Sequence, residues 1–427
     1  MTIAALEALT FGLGRLVEAA GNAGHRLCLL TGDRDVYRHE LAHLDPGALD
    51  IVDLDTTDTA ACADALAALP GLKGLINSTD TWGVPGADLA AKFGLPGPDP
   101  SAVRLLRDKS RVRALLHERG LSRSGAVDVP ADVSAAAEIL RTVGLPAVLK
   151  DSAGTSSRNV WPVRDERQLR TALTEAAQRA FSGRLFAERY FSGPVYSAET
   201  LGWEGETKLL GVLSRQMSPE PSVREEAAAF PVAFPRPELA LIEEWVGRVL
   251  AAAGHDSGFA HVEFVLTADG PELVEINRRI GGALVGEALC RALDTNVYDA
   301  MVDTALGRRP ALLDALDALH PLDFPDAPAT AFVLVYPDRP GTLTGWSGLD
   351  GLSAFPGSPE WYPTAVPGRR VEHLSDQRGC TGILLAGAAT AELALHRALS
   401  AAGSIRPTIE TDTETDTGTG VDTDDRG

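Results

Sequence analysis

The sequence predicts an α/β plus α+β protein in three successive units, and three observations carry that reading. Residues 1–98 alternate apolar runs with helical patterns, the signature of βαβ units and a parallel, Rossmann-like sheet. Residues 99–309 bring a charge-rich helix and then closely spaced strand candidates, which implies a mixed, mostly antiparallel unit. After about Pro310 the pattern restarts in a smaller α+β unit, 310–407, and no internal repeat is evident.

In the first unit, apolar runs at 3–9, 26–30, 49–54 and 72–76 read as strands, with a helix at 13–23 between the first two. Two of these runs end in small polar residues, Thr31-Gly32-Asp33 and Asn77-Ser78-Thr79-Asp80. Residues 94–100, with two glycines and three prolines, can continue neither a helix nor a strand and mark a boundary. A helix over 101–119 follows. Residues 147–150 form a strand that runs into a loop of small residues, and further strands are expected at 185–188, 196–201, 207–213, 260–266 and 272–276, with a helix at 238–253. In the last unit, 331–336 and 382–386 read as strands and 391–402 as a helix around a middle rich in Gly and Pro. Residues 408–427, mostly Thr, Asp and Gly, have little to bury and are expected to be disordered.

Bulk properties exclude several classes. Apolar residues at 44% and charged residues at 23% describe a globular chain, and 427 residues are more than one core usually holds. A net charge of −20 repels nucleic acid and anionic membranes from most of the surface. Cys28, Cys62, Cys290 and Cys380 are widely separated, so neither a disulfide framework nor a zinc knuckle is suggested. With no basic-then-apolar leader and no run of ~20 apolar residues, a cytoplasmic location is expected. Gly12-Leu13-Gly14 lacks the third glycine of a dinucleotide fingerprint, and no GxxxxGK[ST] phosphate loop occurs.

The most specific local feature is the stretch from His261 to Arg279. It reads as a β-hairpin around Ala268-Asp269-Gly270, taken as a three-residue loop with glycine at the positive-φ position. Facing residue numbers then sum to 538, which sets Glu263 opposite Glu275, and Asn277 shares their face because strand side chains alternate. Facing carboxylates repel. A divalent cation such as Mg²⁺ relieves that repulsion, taking few protein oxygens and completing its shell from phosphate. A Glu/Glu pair alone is as readily a solvated strand face. Asn277 and then Arg279, whose guanidinium can hold a phosphoryl oxygen, favour the metal reading.

Lys150 ends a strand and precedes Gly154, Thr155, Ser156 and Ser157, a loop whose backbone N–H groups are open to a phosphate. Taken with Asp108-Lys109 opening a helix, with Glu188 in Leu185-Phe186-Ala187-Glu188-Arg189-Tyr190-Phe191, and with the hairpin, residues 99–309 resemble the ATP-grasp superfamily. The resemblance implies an ATP-grasp fold, with Lys109 and Lys150 as the two nucleotide lysines and Glu188 and Phe191 at the hinge that meets adenine. It further implies Glu263, Glu275 and Asn277 as metal-binding residues, Asn277 also touching nucleotide, and Arg279 as the arginine at the transferring phosphoryl group. His261 ahead of Glu263, and Asn277-Arg278-Arg279-Ile280-Gly281-Gly282, resemble the carboxylate–amine ligase branch that includes L-amino-acid ligases and carnosine synthases. The family often has a glutamate for the ribose where Val195 stands here, and Glu199 is either its substitute or a plain sheet residue.

The activity so implied is ATP-dependent joining of a carboxylate to an amine through an acyl phosphate, with ATP and Mg²⁺ (Mn²⁺ as a variant) as cofactors and ADP and phosphate released. Small-molecule substrates, amino acids first among them, and a homodimer are expected. The alternatives are a ligase or carboxylase acting on another acid, and a nucleotide-binding regulator without activity. Residues 214–234, with Arg215, Arg224, Glu225 and Glu226, are either a substrate loop or a solvated one. Gly281-Gly282 reads as a turn beside the substrate, and His261 as either the base that takes the amine proton or a buried, hydrogen-bonded histidine.

Overall fold

The computed structural model describes residues 1–318 and 328–411. Strands β1 (Thr2–Leu6), β2 (Arg26–Thr31), β3 (Asp50–Asp53) and β4 (Leu72–Ile76) form an all-parallel sheet in the order β3-β2-β1-β4. Its strands are apolar because helices cover it: Ile3, Ala5 and Leu29 face one core and Ala4, Leu6 and Leu30 another. The loops after the strands' carboxyl ends face the central cleft, where ligands of open α/β sheets bind.

A second sheet follows, order β5-β8-β6-β7, from β5 (Ala126–Asp128), β6 (Ala147–Asp151), β7 (Val160–Val163) and β8 (Leu185–Arg189). The single helix expected at 101–119 is two helices, Pro100–Leu106 and Lys109–Glu118. Asp108 breaks it, since its carboxylate accepts the Arg111 N–H and caps a new N-terminus, leaving Lys109 as the first helical residue.

The largest sheet is antiparallel throughout and contains β9 (Val195–Trp203), β10 (Glu206–Met217), β11 (Glu225–Phe230), β12 (Gly258–Thr267), β13 (Gly270–Asn277), β14 (Ala329–Val335), β16 (Glu360–Pro363) and β18 (Gly382–Ala388). Its order is β13-β12-β9-β10-β11-β14-β18-β16. The sheet therefore crosses the boundary expected at 309/310, and β14, β16 and β18 extend the same layer. β15 (Gly341–Ser347), β17 (Arg370–Val371) and β19 (Arg406–Glu410) make a small sheet of their own.

Two expectations are corrected here. Residues 214–217 and 225–230, read as part of a loop that either binds substrate or is solvated, are strand, so 218–224 and 231–234 remain connections. Three alanines after two glutamates give little strand propensity, but Ala227 and Ala229 pack against Ala394, Ala398 and Ala401, where a helix lies close on the sheet. Residues 408–410, placed in the disordered tail, pair within β19; residues 412–427 lie outside the described residues.

One hydrophobic core joins all three regions, with Leu13 and Leu16 packing in the same cluster as Val285, Tyr298, Phe332 and Ile383. Arg15 pairs with Glu287, which also takes Arg291, and Arg291 reaches Glu360. No helix among the described residues is long and apolar enough to cross a membrane.

Gly12 sits at the docking point with φ +97°, and a Cβ there would come 1.9 Å from the Tyr298 hydroxyl oxygen. Gly12→Ala should therefore cost about 2–4 kcal/mol through overpacking and left-handed strain. Urea unfolding measures it, and an unshifted midpoint would show that the interface yields.

Candidate active site

The β12–β13 hairpin brings Glu263 opposite Glu275 as expected, though by a different turn. Thr267 pairs with Gly270 across a two-residue turn, not with Pro271, and Val274 is an extra residue bulged out between the pairs Phe264–Leu273 and Glu263–Glu275. The bulge restores the sum of 538 beyond it. Bulges of this kind re-aim side chains beside functional sites, and Val274 lines the cleft.

Both carboxylates are balanced by cations. Glu275 lies 2.8 Å from Lys109 Nζ and accepts a 2.8 Å hydrogen bond from the Asn277 amide. Burial pushes its carboxyl up, but Lys109 and the amide outweigh that and hold it well below the usual range. Glu263 is gripped by Arg215 and held low against the same burial. Arg215 lies under the sheet face between Glu263 and Glu225, 3.2 Å from the latter, and burial drives Glu225 upward. Sequence reasoning placed Arg215 on a loop, substrate-binding or solvated. It is on β10, and its position across two strands from Glu263 could not be read without the strand order.

Among the described residues no three His, Cys, Asp or Glu side chains could hold a metal by themselves. Two carboxylates and the free carbonyl oxygen of Asn277 nevertheless fit Mg²⁺, an oxygen-seeking ion that keeps water and phosphate oxygens in its shell. Thus the donor set fits a metal bound together with a nucleotide, and not one bound by protein alone.

A cleft of about 1000 Å³ runs beside the hairpin. Lys109, Lys150, Gly154, Thr155, Ser156, Ser157, Glu188, Phe191, His261, Glu263, Glu275 and Arg279 all line it. Lys109 also donates to the Gly154 carbonyl at 2.7 Å, tying the helix start to the small-residue loop. Ser156 and Ser157 hold φ of +58° and +60°, a sparsely populated region for serine, and the Ser156 carbonyl accepts from Gln377 N at 3.4 Å.

Glu188 lines the cleft, and its buried carboxylate lies 2.6 Å from Lys150 Nζ and 2.7 Å from Arg113 Nε, so it fixes Lys150. Arg113 also reaches Glu272 and the Leu273 carbonyl, and the Phe191 ring lies beneath Arg113 and Arg123. The strong local polarity of Arg113 within a helix gave no hint of this.

Glu199 is buried within the sheet. It shares the cleft-facing side of β9 with Val195 but is buried under His261, taking the Nδ1–H of His261 and, at 3.3 Å, the Gly281 N–H. His261 is thus held between Glu199 and Glu263. Burial opposes its charge, but the two carboxylates prevail and raise it to about 9. Of the two readings, the structure displays the buried, hydrogen-bonded histidine, with Arg215 Nη1 also 3.1 Å from its Nε2. Gly281 is required here, since a Cβ would stand 2.7 Å from His261 Nδ1.

Asn277 lines a second, smaller cavity of about 120 Å³ behind the hairpin, together with Lys109 and Arg279. Arg279 donates from Nε at 2.9 Å, and from Nη2, to one oxygen of Asp80, and from Nη1 to the Ile280 carbonyl at 2.9 Å. Asp80 was not singled out from sequence, although its place just beyond the carboxyl end of a parallel strand was the available signal.

Fold and cleft together are those of a nucleotide-dependent ligase scaffold, and comparison with known proteins agrees. The family model for the ATP-grasp domain matches residues 143–287, and that for the L-amino acid ligase C-terminal domain 2 matches residues 333–410. Residues 143–287 thus match the ATP-grasp family, and the two matches together resemble its carboxylate–amine ligase branch. An uncharacterised protein of Sinorhizobium fredii, y4rH, is 25% identical over 383 residues, 87% of this chain and 75% of that one. Human carnosine synthase 1 is 26% identical over 322 residues, 69% of this chain but only 38% of the synthase. Among solved structures, an L-amino acid ligase from Bacillus licheniformis superposes with a TM-score of 0.78 at 19% identity, covering 96% of this chain and 98% of that one. The biotin carboxylase domain of the Hydrogenobacter thermophilus 2-oxoglutarate carboxylase, with MgADP and bicarbonate, gives 0.72 at 17%, covering 96% and 90%.

The raised pKa of His261 has a signed consequence. Its contribution to stability is complete below about pH 6.5, the unfolded value, and is lost as pH rises through about 9. In metal-free buffer, His261→Gln should remove that alkaline loss, so that the wild-type advantage shrinks between these limits. Parallel stability profiles for the two proteins across pH 6–10 would contradict the protonated assignment.

Proposed function

We propose that the protein is an ATP-dependent carboxylate–amine ligase that activates a carboxylate as an acyl phosphate and passes it to an amine, with amino acids as the substrates and ADP and phosphate released. The observation that carries this is the Glu263–Glu275 pair with Asn277, beside Lys109 and Arg279 in a cleft that Lys150 also lines. In this reading Lys109, Lys150 and the Gly154–Ser157 loop hold the phosphates of ATP. Glu263, Glu275 and Asn277 hold Mg²⁺, which supplies charge neutralisation at the transferred group. Arg279 stands beside the carboxylates to take the oxygens of the reacting carboxylate. No nucleophilic side chain is needed, because phosphoryl transfer asks for alignment and electrostatic stabilisation more than covalent help.

His261, charged and buried, acts on its neighbours and not on the substrate proton. It fixes Glu263 from one side and, through Glu199, the Gly281 N–H from the other. The amine proton leaves to solvent or to phosphate oxygen in this proposal. The C-terminal match favours the amino-acid ligase over a carboxylase, despite the shared scaffold with biotin carboxylase domains. A cytoplasmic homodimer completes the proposed picture, and sedimentation would check the dimer.

A screen for ADP release over pairs of amino acids, with Mg²⁺ and ATP, should identify productive pairs. Release only with other acids, or none at all, would contradict the assignment. Glu275→Gln, which keeps the shape and the Asn277 contact, should lower substrate-dependent ADP release by about 100-fold or more. Retained turnover in that variant would place the metal elsewhere.

A further inference from the structure

We propose that Asp80, contributed by the N-terminal sheet, is the positioning residue for Arg279, so that the N-terminal region completes the catalytic centre. This rests on the role given to Arg279 above. Arg279 follows β13 directly and lies beside Glu263 and Glu275, both of which attract its charge. An arginine has a long stem with about 2 kcal/mol of rotamer entropy, so its place just after β13 does not by itself aim it. Left to these neighbours it would fold onto the metal carboxylates and compete with the ion. Asp80 prevents this by accepting two of its five N–H groups on a single oxygen, while the Ile280 carbonyl takes a third. Two N–H groups remain without a protein partner among the described residues.

The anchor is itself fixed. Residues 77–80 continue β4, and Asn77 donates to the Leu6 carbonyl at 3.3 Å while Ser78 Oγ accepts from Leu9 N at 3.2 Å. Trp82 donates to the Thr56 carbonyl at 3.1 Å, and Gly86 packs against Asn77, where a Cβ would come within 3.0 Å. The ion pair is largely buried, with side-chain exposures of 14% for Arg279 and 15% for Asp80. Both residues line the main cleft and the smaller cavity, so the pair forms part of the wall between them.

The test uses the full chain, MgADP alone and MgADP with aluminium fluoride as a phosphoryl mimic, and two variants. Aluminium fluoride should tighten MgADP retention in the wild type by about tenfold or more, as a site that holds a transferring phosphoryl group does. Asp80→Asn should leave MgADP alone bound within about threefold but lose most of that tightening, and Asp80→Glu should recover part of it. In turnover, Asp80→Asn should lower kcat by about 10- to 100-fold with the KM for ATP nearly constant. Made in an Arg279→Met background, the same change should cost less than about threefold, because the pair is already lost. Retention of the fluoride effect in Asp80→Asn, or an equal loss in both backgrounds, would overturn the positioning role alone. A wild type that binds MgADP without any fluoride effect would instead defeat the reading of Arg279, and this inference with it.

Discussion

Two carboxylates facing each other across a hairpin are costly unless positive charge stands between or beside them, and the centre of this molecule is organised around that cost. Glu263 and Glu275 are each met by a cation from a different element, Arg215 from β10 and Lys109 from the start of a helix. A hairpin alone could not supply either. The central strands and the helix capped by Asp108 are placed so that charge balance survives burial.

From that centre the charges propagate outward in pairs. Lys150 is held by Glu188, which is held by Arg113, which also takes Glu272 on the back of the hairpin. On the other side His261 is held by Glu199, whose second oxygen takes the Gly281 N–H beside Arg279. Buried pairs like these add little net stability, but losing one partner strands a charge in low dielectric, so each fixes the orientation of the next. The charged residues of the cleft are in this way arranged in advance of any ligand.

The three sequence regions are less separate than their patterns imply. β14, β16 and β18 extend the central sheet, and a shared core runs from Leu16 to Ile383. The parallel sheet turns the loops after its strands toward the cleft, so an N-terminal acid meets an arginine 199 positions later in the chain.

The sequence by itself determined the parallel first sheet, the antiparallel layers and the facing of Glu263 and Glu275, because each follows from local periodicity and alternation. It reached the right facing pair through a three-residue turn where the chain uses a two-residue turn and a bulge. Tertiary structure alone decided what each polar group does. Glu188 pairs with Lys150 and Arg113, Glu199 with His261, and His261 sits between two carboxylates that hold its pKa up, since partners arrive from elements distant in sequence and burial multiplies the effect of each charge they bring.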